Sequence, residues 1–211
     1  HLELRRSPES RALRHVFFAE RAAARPAAIA GAAPRDVARI AIVGGGLMGA
    51  GIASAALTAG LRVTLIERDA EAAGAAQERV SGLLDGAVER GKMDAAARDA
   101  ALAGFDAVDG YARAAGAELA IEAVFEDIGV KSEVTKKVLD VVGADCIFAS
   151  NTSTLPITEL AGASDRPDQF IGIHFFSPVE KMALVEIIKG RETGDRAVAK
   201  ALDFVRQIRK T

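Results

Sequence analysis

The chain has 211 residues, half of them apolar, with 27 Lys and Arg against 29 Asp and Glu and a formal net charge of -2. That length fits one domain of ordinary size with an appendage, and the near balance of charge argues against nucleic acid or an anionic membrane surface as partner. The single Cys146 excludes an internal disulfide framework and suits a reducing cytoplasm, and no apolar run approaches the roughly 20 residues needed to span a bilayer.

Arg5, Arg6, Glu9, Arg11 and Arg14 interrupt the N-terminus, so no signal peptide is read there. An opening on His1 rather than Met reads as an excised segment of a longer protein or a tag remnant. Residues 7–25 predict a free-standing amphipathic helix: Ser7 can cap it, Pro8 suits the first helical position, and Leu13, Val16 and Phe17 share one face. Arg25 to Arg35 is rich in Ala, Gly and Pro and predicts a linker. Residues 1–36 are therefore read as linker helix and linker, and 37–211 as a separate domain.

From Ala38 the texture becomes strand–helix alternation. Ile40 to Val43 is a short, wholly apolar run, as a strand covered on both faces requires. A small-residue helix is predicted over Leu47–Gly60 and a second strand over Arg62–Ile66. A long helix follows over Asp69–Arg90, ended by Gly91, with Ala76, Val80, Leu83, Leu84 and Ala87 on one side. A short helix near Asp94–Leu102 and a weak strand at Phe105–Val108 come next. Further strands are predicted at Leu119–Val124, Cys146–Ala149, Phe170–His174 and Leu184–Ile188. Val130, Val134, Val138 and Val141 mark another helix, and Thr193 is read as the cap of a last one ending near Arg209. The order is that of an α/β, Rossmann-type, doubly wound and mostly parallel sheet with an extra N-terminal linker helix.

Gly44-Gly45-Gly46-Leu47-Met48-Gly49 matches G-x-G-x-x-G, and it follows an apolar strand and opens a helix, the context that gives the pattern meaning. Gly44 permits the tight turn, Gly46 lets the backbone approach a pyrophosphate, and Gly49 lets the helix close on the strand. Glu67 ends the second strand 23 positions after Gly44, against an expected spacing of about 20. A carboxylate there accepts from both ribose hydroxyls and repels a 2′-phosphate, which favours NAD over NADP. A plain strand–helix turn beside a solvated Glu is the blander alternative. No metal site is expected.

Three strand ends carry polar groups: Phe125-Glu126-Asp127 with Lys131, Ser150-Asn151-Thr152-Ser153-Thr154, and His174-Phe175-Phe176-Ser177-Pro178. Ligands bind outside the carboxyl ends of strands in such sheets. Oxidation of an alcohol needs a base for the hydroxyl proton, a task that imidazole chemistry suits. Of the three histidines, only His174 lies in the predicted catalytic fold; a core histidine is the competing reading. Glu186 sits in the apolar run Leu184–Ile188, where a carboxylate is unfavourable unless paired. An imidazole is an obvious partner.

Five ordered segments, Gly44–Gly51 (GGGLMGAG), Ile121–Lys131 (IEAVFEDIGVK), Ala149–Thr154 (ASNTST), Ile173–Pro178 (IHFFSP) and Leu184–Ile188 (LVEII), resemble the 3-hydroxyacyl-CoA dehydrogenase family. The front segment SPESRALRHVFFAERAA is similar to the linker helix of bifunctional fatty-acid oxidation enzymes. The resemblance implies an upstream enoyl-CoA hydratase domain, a helical C-terminal domain beyond Thr211, and thiolase as a further partner. It implies that Gly44, Gly46, Leu47, Met48 and Gly49 lie against the NAD pyrophosphate, and Glu67 against the adenosine ribose. It implies Ala123, Val124, Glu126 and Lys131 on the nicotinamide-ribose side, and Ser153 between nicotinamide and the substrate's 3-oxygen. His174 becomes the general base, oriented by Glu186, in the oxidation of a 3-hydroxyacyl-CoA in cytoplasmic β-oxidation. Ser177 stands on the cofactor side where the family usually has Asn, so any amide contact there is shortened or lost. A 3-hydroxybutyryl-CoA dehydrogenase and a non-catalytic dinucleotide-binding module are the alternatives. With the C-terminal domain beyond its end, this chain is expected to bind NAD but to turn over poorly alone.

Overall fold

The computed structural model of the chain describes residues 2–23 and 36–211. The predicted linker at residues 25–35 falls wholly outside them. Ahead of it lie α1 (Leu2–Arg6), which the sequence did not signal, and α2 (Pro8–Ala23). Ser7 Oγ accepts from Ser10 N at 3.2 Å, the capping bond expected of it. No described residue of α2 is buried, and Leu13, Val16 and Phe17 all stand exposed.

The strands are β1 (Arg39–Val43), β2 (Arg62–Ile66), β3 (Phe105–Val108), β4 (Leu119–Glu122), β5 (Ile147–Ser150), β6 (Phe170–Phe175) and β7 (Val185–Ile188). They form one sheet in the order β3-β2-β1-β4-β5-β6-β7, parallel throughout except for the antiparallel β6–β7 pair. The first six reproduce the Rossmann order, whose switch point lies between β1 and β4. The helices between them are α3 (Leu47–Thr58), α4 (Ala70–Glu89), α5 (Ala95–Ala103), α6 (Ile128–Leu139) and α7 (Ile157–Leu160), with α8 (Asp195–Gln207) after β7.

Both faces of the sheet are covered, which is why β1 carries no polar alternation. Successive side chains point to opposite faces. Ile40 and Ile42 pack with Ile52 and Ala53 of α3, Ala76, Val80 and Leu84 of α4, and Phe204 of α8. Ala41 and Val43 enter the opposite layer with Val134 and Val138 of α6, Phe148 and Phe170. Each fully buried aliphatic side chain contributes about 1.5–3 kcal/mol.

Helix starts follow side-chain chemistry. Asp69, Asp94 and Asp127 accept from the amides of Ala72, Ala97 and Val130, and so begin α4, α5 and α6. Thr193 is the exception to the sequence reading. The cap of α8 is Gly194, without a side-chain bond, because Thr193 Oγ1 donates to Phe170 O at 2.7 Å and accepts from Gly190 N at 2.8 Å. The helix stops at Gln207, and Arg209 follows with φ 58° in the left-handed region. Val130 lies in the exposed first turn of α6, so only Val134 and Val138 of the predicted stripe are buried within that helix.

Cys146 is buried immediately before β5, and burial pushes its thiol up to about 11. At mildly alkaline pH only a small fraction of one per cent is the reactive thiolate, on the order of one part in a thousand. Labelling by a disulfide reagent is expected to track the opening rate of the fold. Labelling at the rate of a free thiol would contradict this placement.

Candidate functional site

The glycine turn is built by close backbone packing. Gly44 leaves β1 at φ +94°, a conformation that a side chain disfavours, and its amide donates to Ile66 O at 2.9 Å. Gly45 is clamped on both sides: its amide donates to Glu67 Oε1 at 2.6 Å, and its carbonyl accepts from Arg79 of α4. A Cβ on Gly49 would stand 1.8 Å from Gly44 O, so α3 approaches the strand to backbone contact. A Cβ on Gly46 would meet nothing within 4 Å.

These observations fit a dinucleotide. α3 begins at Gly46 without a side-chain cap, so its first-turn amides at Leu47, Met48 and Gly49 keep donors for an anion. The open side of Gly46 is where a pyrophosphate could come close to the backbone. Glu67 closes the other end of the turn at the tip of β2, with Oε2 accepting from Arg68 N at 3.2 Å.

A buried charge cluster stands beyond the switch point. Lys131 Nζ donates to both oxygens of Glu122 at 2.9 Å and lies 3.2 Å from Glu126 Oε2. Lys131 and Glu122 are buried, whereas Glu126 is partly exposed. Breaking such a pair by removing one member costs about 3–5 kcal/mol. Lys131 thus faces the carboxylates from below the surface rather than presenting its ammonium to solvent.

Glu126 grips the loop after β5. Its Oε1 accepts from Thr152 Oγ1 at 2.6 Å, Ser153 N at 3.0 Å and Thr154 N at 3.2 Å. Burial alone would raise this carboxyl, but the bonds from Thr152 and Lys131 outweigh it and hold it at about 2 against an ordinary 4.5. A carboxyl depressed on folding adds stability above its unfolded value, and that stability is lost as the pH falls through its folded one. Glu126→Gln is therefore expected to flatten the decline of the urea midpoint between about pH 4.5 and about 2. The side chain is 38% exposed, so screening trims the amplitude. An unchanged slope would remove Glu126 from this role.

His174 and Glu186 face each other as direct cross-strand partners on β6 and β7. His174 Nδ1 lies 2.8 Å from Glu186 Oε2, and Nε2 lies 3.2 Å from Ser153 Oγ. The Phe176 ring packs on the imidazole with centroids 4.7 Å apart. Glu186 lies on the edge strand and is half exposed, so its carboxylate reaches the histidine without full desolvation. Such a Ser–His–carboxylate chain can fix one imidazole tautomer and leave the other nitrogen for proton transfer.

The structure brings together Ser153, His174 and Glu186 in one chain of contacts. It also gathers Gly44, Ala123 and Val124 in another: a Cβ on Gly44 would lie 2.8 Å from Ala123 O. Ser177 lies exposed two residues beyond β6. β1 and β6 are three strand spacings apart, about 14 Å along the sheet edge. Sequence reasoning missed Glu122, Arg79 and the clamp at Asn151, whose Oδ1 accepts from Phe175 N at 2.9 Å beside the histidine. Glu122 carried a signal, a charge inside an apolar strand, and Asn151 lay in a polar strand end; Arg79 carried none.

The family model described as 3-hydroxyacyl-CoA dehydrogenase, NAD binding domain, matches residues 39–211. The chain is 41% identical over 210 residues to a fatty acid oxidation complex subunit alpha of Shewanella baltica, covering 99% of this chain and 30% of that protein. Among solved structures it is similar to (S)-3-hydroxybutyryl-CoA dehydrogenase from Ralstonia eutropha, with 36% identity and a TM-score of 0.80 over 83% of this chain and 62% of that one. The 3-hydroxybutyryl-CoA dehydrogenase of Escherichia coli matches with 32% identity and a TM-score of 0.80 over 84% of this chain and 38% of that one.

Proposed function

The chain belongs to the 3-hydroxyacyl-CoA dehydrogenase family through its NAD-binding domain, and from that premise we propose that it forms the cofactor half of an enzyme oxidising 3-hydroxyacyl-CoA to 3-oxoacyl-CoA. The observation that carries the reading is the Ser153–His174–Glu186 chain, with contacts of 3.2 and 2.8 Å at the carboxyl end of the sheet.

In this reading the amides of Leu47, Met48 and Gly49 hold the NAD pyrophosphate, with Gly44 and Gly46 permitting the approach. Glu67 answers the adenosine ribose. Ala123, Val124 and Glu126 line the nicotinamide-ribose side, with Lys131 holding Glu126 from within, and Ser177 borders the cofactor. When bound, NAD supplies the hydride acceptor. Ser153 Oγ orients the substrate 3-hydroxyl, and His174 Nε2 removes its proton. Glu186 keeps the Nδ1–H tautomer and stabilises the imidazolium that forms. The reverse direction returns that proton to the developing alkoxide.

The relatives in the fatty-acid oxidation complex, which extend well beyond the matched span, support a longer polypeptide. We infer that it carries an enoyl-CoA hydratase domain upstream and a helical domain downstream, works with a thiolase, and resides in the cytoplasm. A second reading, a short-chain 3-hydroxybutyryl-CoA substrate, is favoured by the two solved structures that carry that name. A binding module without catalysis would have no use for a histidine held by a carboxylate on one side and a hydroxyl on the other.

The test is NAD reduction by the complete polypeptide with 3-hydroxybutyryl-CoA and with longer 3-hydroxyacyl-CoA. Dependence on the 3-hydroxyacyl-CoA is expected, and Glu186→Gln should lower kcat roughly 100-fold, with KM for NAD little changed. Full activity in Glu186→Gln would remove the dyad from the mechanism.

A further inference from the structure

Glu122 is buried, charged and unused by the chemistry above. It stands in β4 in register with Val43 of β1 and Ser150 of β5, a place where a carboxylate is unfavourable unless its oxygens are answered. They are answered fully. Oε1 accepts from Lys131 Nζ at 2.9 Å and from Ser150 Oγ, and Oε2 accepts from Lys131 Nζ at 2.9 Å and from Val124 N at 3.2 Å.

The partners of this carboxylate lead to two loops. An ammonium has three protons; two go to Glu122, and the third points to Glu126 Oε2 at 3.2 Å. Glu126 in turn takes the Ser153 amide, and Ser153 Oγ reaches His174 Nε2. Ser150 Oγ, besides donating to Glu122, accepts from Thr152 N at 3.3 Å, so the same loop is held at its base. The Val124 bond holds the segment against which Gly44 packs. Burial works to raise the Glu122 carboxyl while Lys131 works to lower it, and burial prevails; the cluster depends on keeping its ammonium.

We propose that Glu122 is a positioning residue of the dehydrogenase site. By fixing Lys131 as a bridge to Glu126 it keeps Ser153 on His174, and by its bond to Val124 it keeps the 123–124 segment on the glycine turn. A pair serving stability alone would have no reason to end on the Ser153 amide. This inference rests on the reading of the site as an NAD-dependent dehydrogenase.

The test uses the chain as it stands, with three readouts: the dissociation constant for NAD, the 15N resonance of His174 Nε2, and the thermal midpoint. Replacing a buried ion pair by apolar residues of similar volume is often neutral for stability, so Glu122→Leu combined with Lys131→Met separates packing from positioning. The double variant is expected to melt within about 4 °C of the wild type. Its NAD dissociation constant should rise on the order of 10-fold, and the Nε2 resonance should move towards that of Ser153→Ala. Wild-type affinity with a wild-type resonance would overturn the proposal. Ser150→Ala leaves the ion pair intact and supplies a milder arm. It is expected to shift both readouts in the same direction, and no shift in either would count equally against the proposal, including where the double variant fails to fold. Should the wild type itself not bind NAD, the dehydrogenase reading fails, while the Nε2 resonance still decides whether Glu122 positions Ser153.

Discussion

His174→Ala is expected to lower turnover of the complete polypeptide by about 1,000-fold while changing its affinity for NAD by no more than about 2-fold. The magnitude is that of a general base lost from a site that keeps its binding groups. The imidazole stands between Glu186 at 2.8 Å on Nδ1 and Ser153 at 3.2 Å on Nε2, and alanine leaves no ring nitrogen at that place to take the proton. The affinity should hold because the glycine turn lies at β1 and the imidazole on β6, with β4 and β5 between them. Steady-state kinetics with NAD and 3-hydroxybutyryl-CoA, paired with calorimetric titration of NAD, separates the two quantities. A loss of NAD binding equal to the loss of turnover would mean that His174 supports the fold or the cofactor rather than the proton transfer.

Gly49→Ala is expected to be nearly as damaging by a different route. The added methyl would stand 1.8 Å from Gly44 O and 2.9 Å from Gly44 C, both backbone atoms. No flexible side chain can move aside, and Gly44 is itself fixed at φ +94°. Overpacking of a core costs about 1–3 kcal/mol, occasionally more, and a collision with main chain belongs at the upper end. The melting midpoint should fall by several degrees and NAD binding by roughly 100-fold, since α3 would tilt away from the phosphates. Gly46→Ala is the control: nothing lies within 4 Å of its methyl. It should keep the wild-type midpoint and weaken NAD alone. Equal stability losses in the two variants would contradict the division of labour within the turn.

Much of the architecture was legible because it follows from local rules. The apolar run Ile40–Val43 and the glycine turn state their structure within a few residues. The α/β order then follows from how strands and helices alternate. Thr193 misled because a threonine before a helix is a cap only if nothing else claims its hydroxyl, and Phe170 O, distant in sequence, claims it. The helix α1 was missed because Leu2–Arg6 is too short for periodicity to mark it.

The site divides in the same way. His174 was legible as a polar strand end and Glu186 as a charge inside an apolar run, and the antiparallel register of β6 and β7 makes them neighbours. The inward setting of Lys131 was not: the resemblance gave it only a place on the nicotinamide-ribose side, and its contacts with Glu122 and Glu126 come from the structure. Arg79 and Asn151 act on Gly45 O and Phe175 N through contacts made only by the fold; no sequence pattern announces Arg79, and the polar strand end that includes Asn151 does not name its partner.

The central claim is that the glycine turn and the Ser153–His174–Glu186 chain belong to one site. Titration of the chain with NAD, followed through the amide resonances of Leu47, Met48 and Gly49 and the side-chain resonances of Ser153 and His174, tests it most directly. Both groups should shift together with a single dissociation constant. Shifts confined to the glycine turn at saturation, with Ser153 and His174 unmoved, would contradict it.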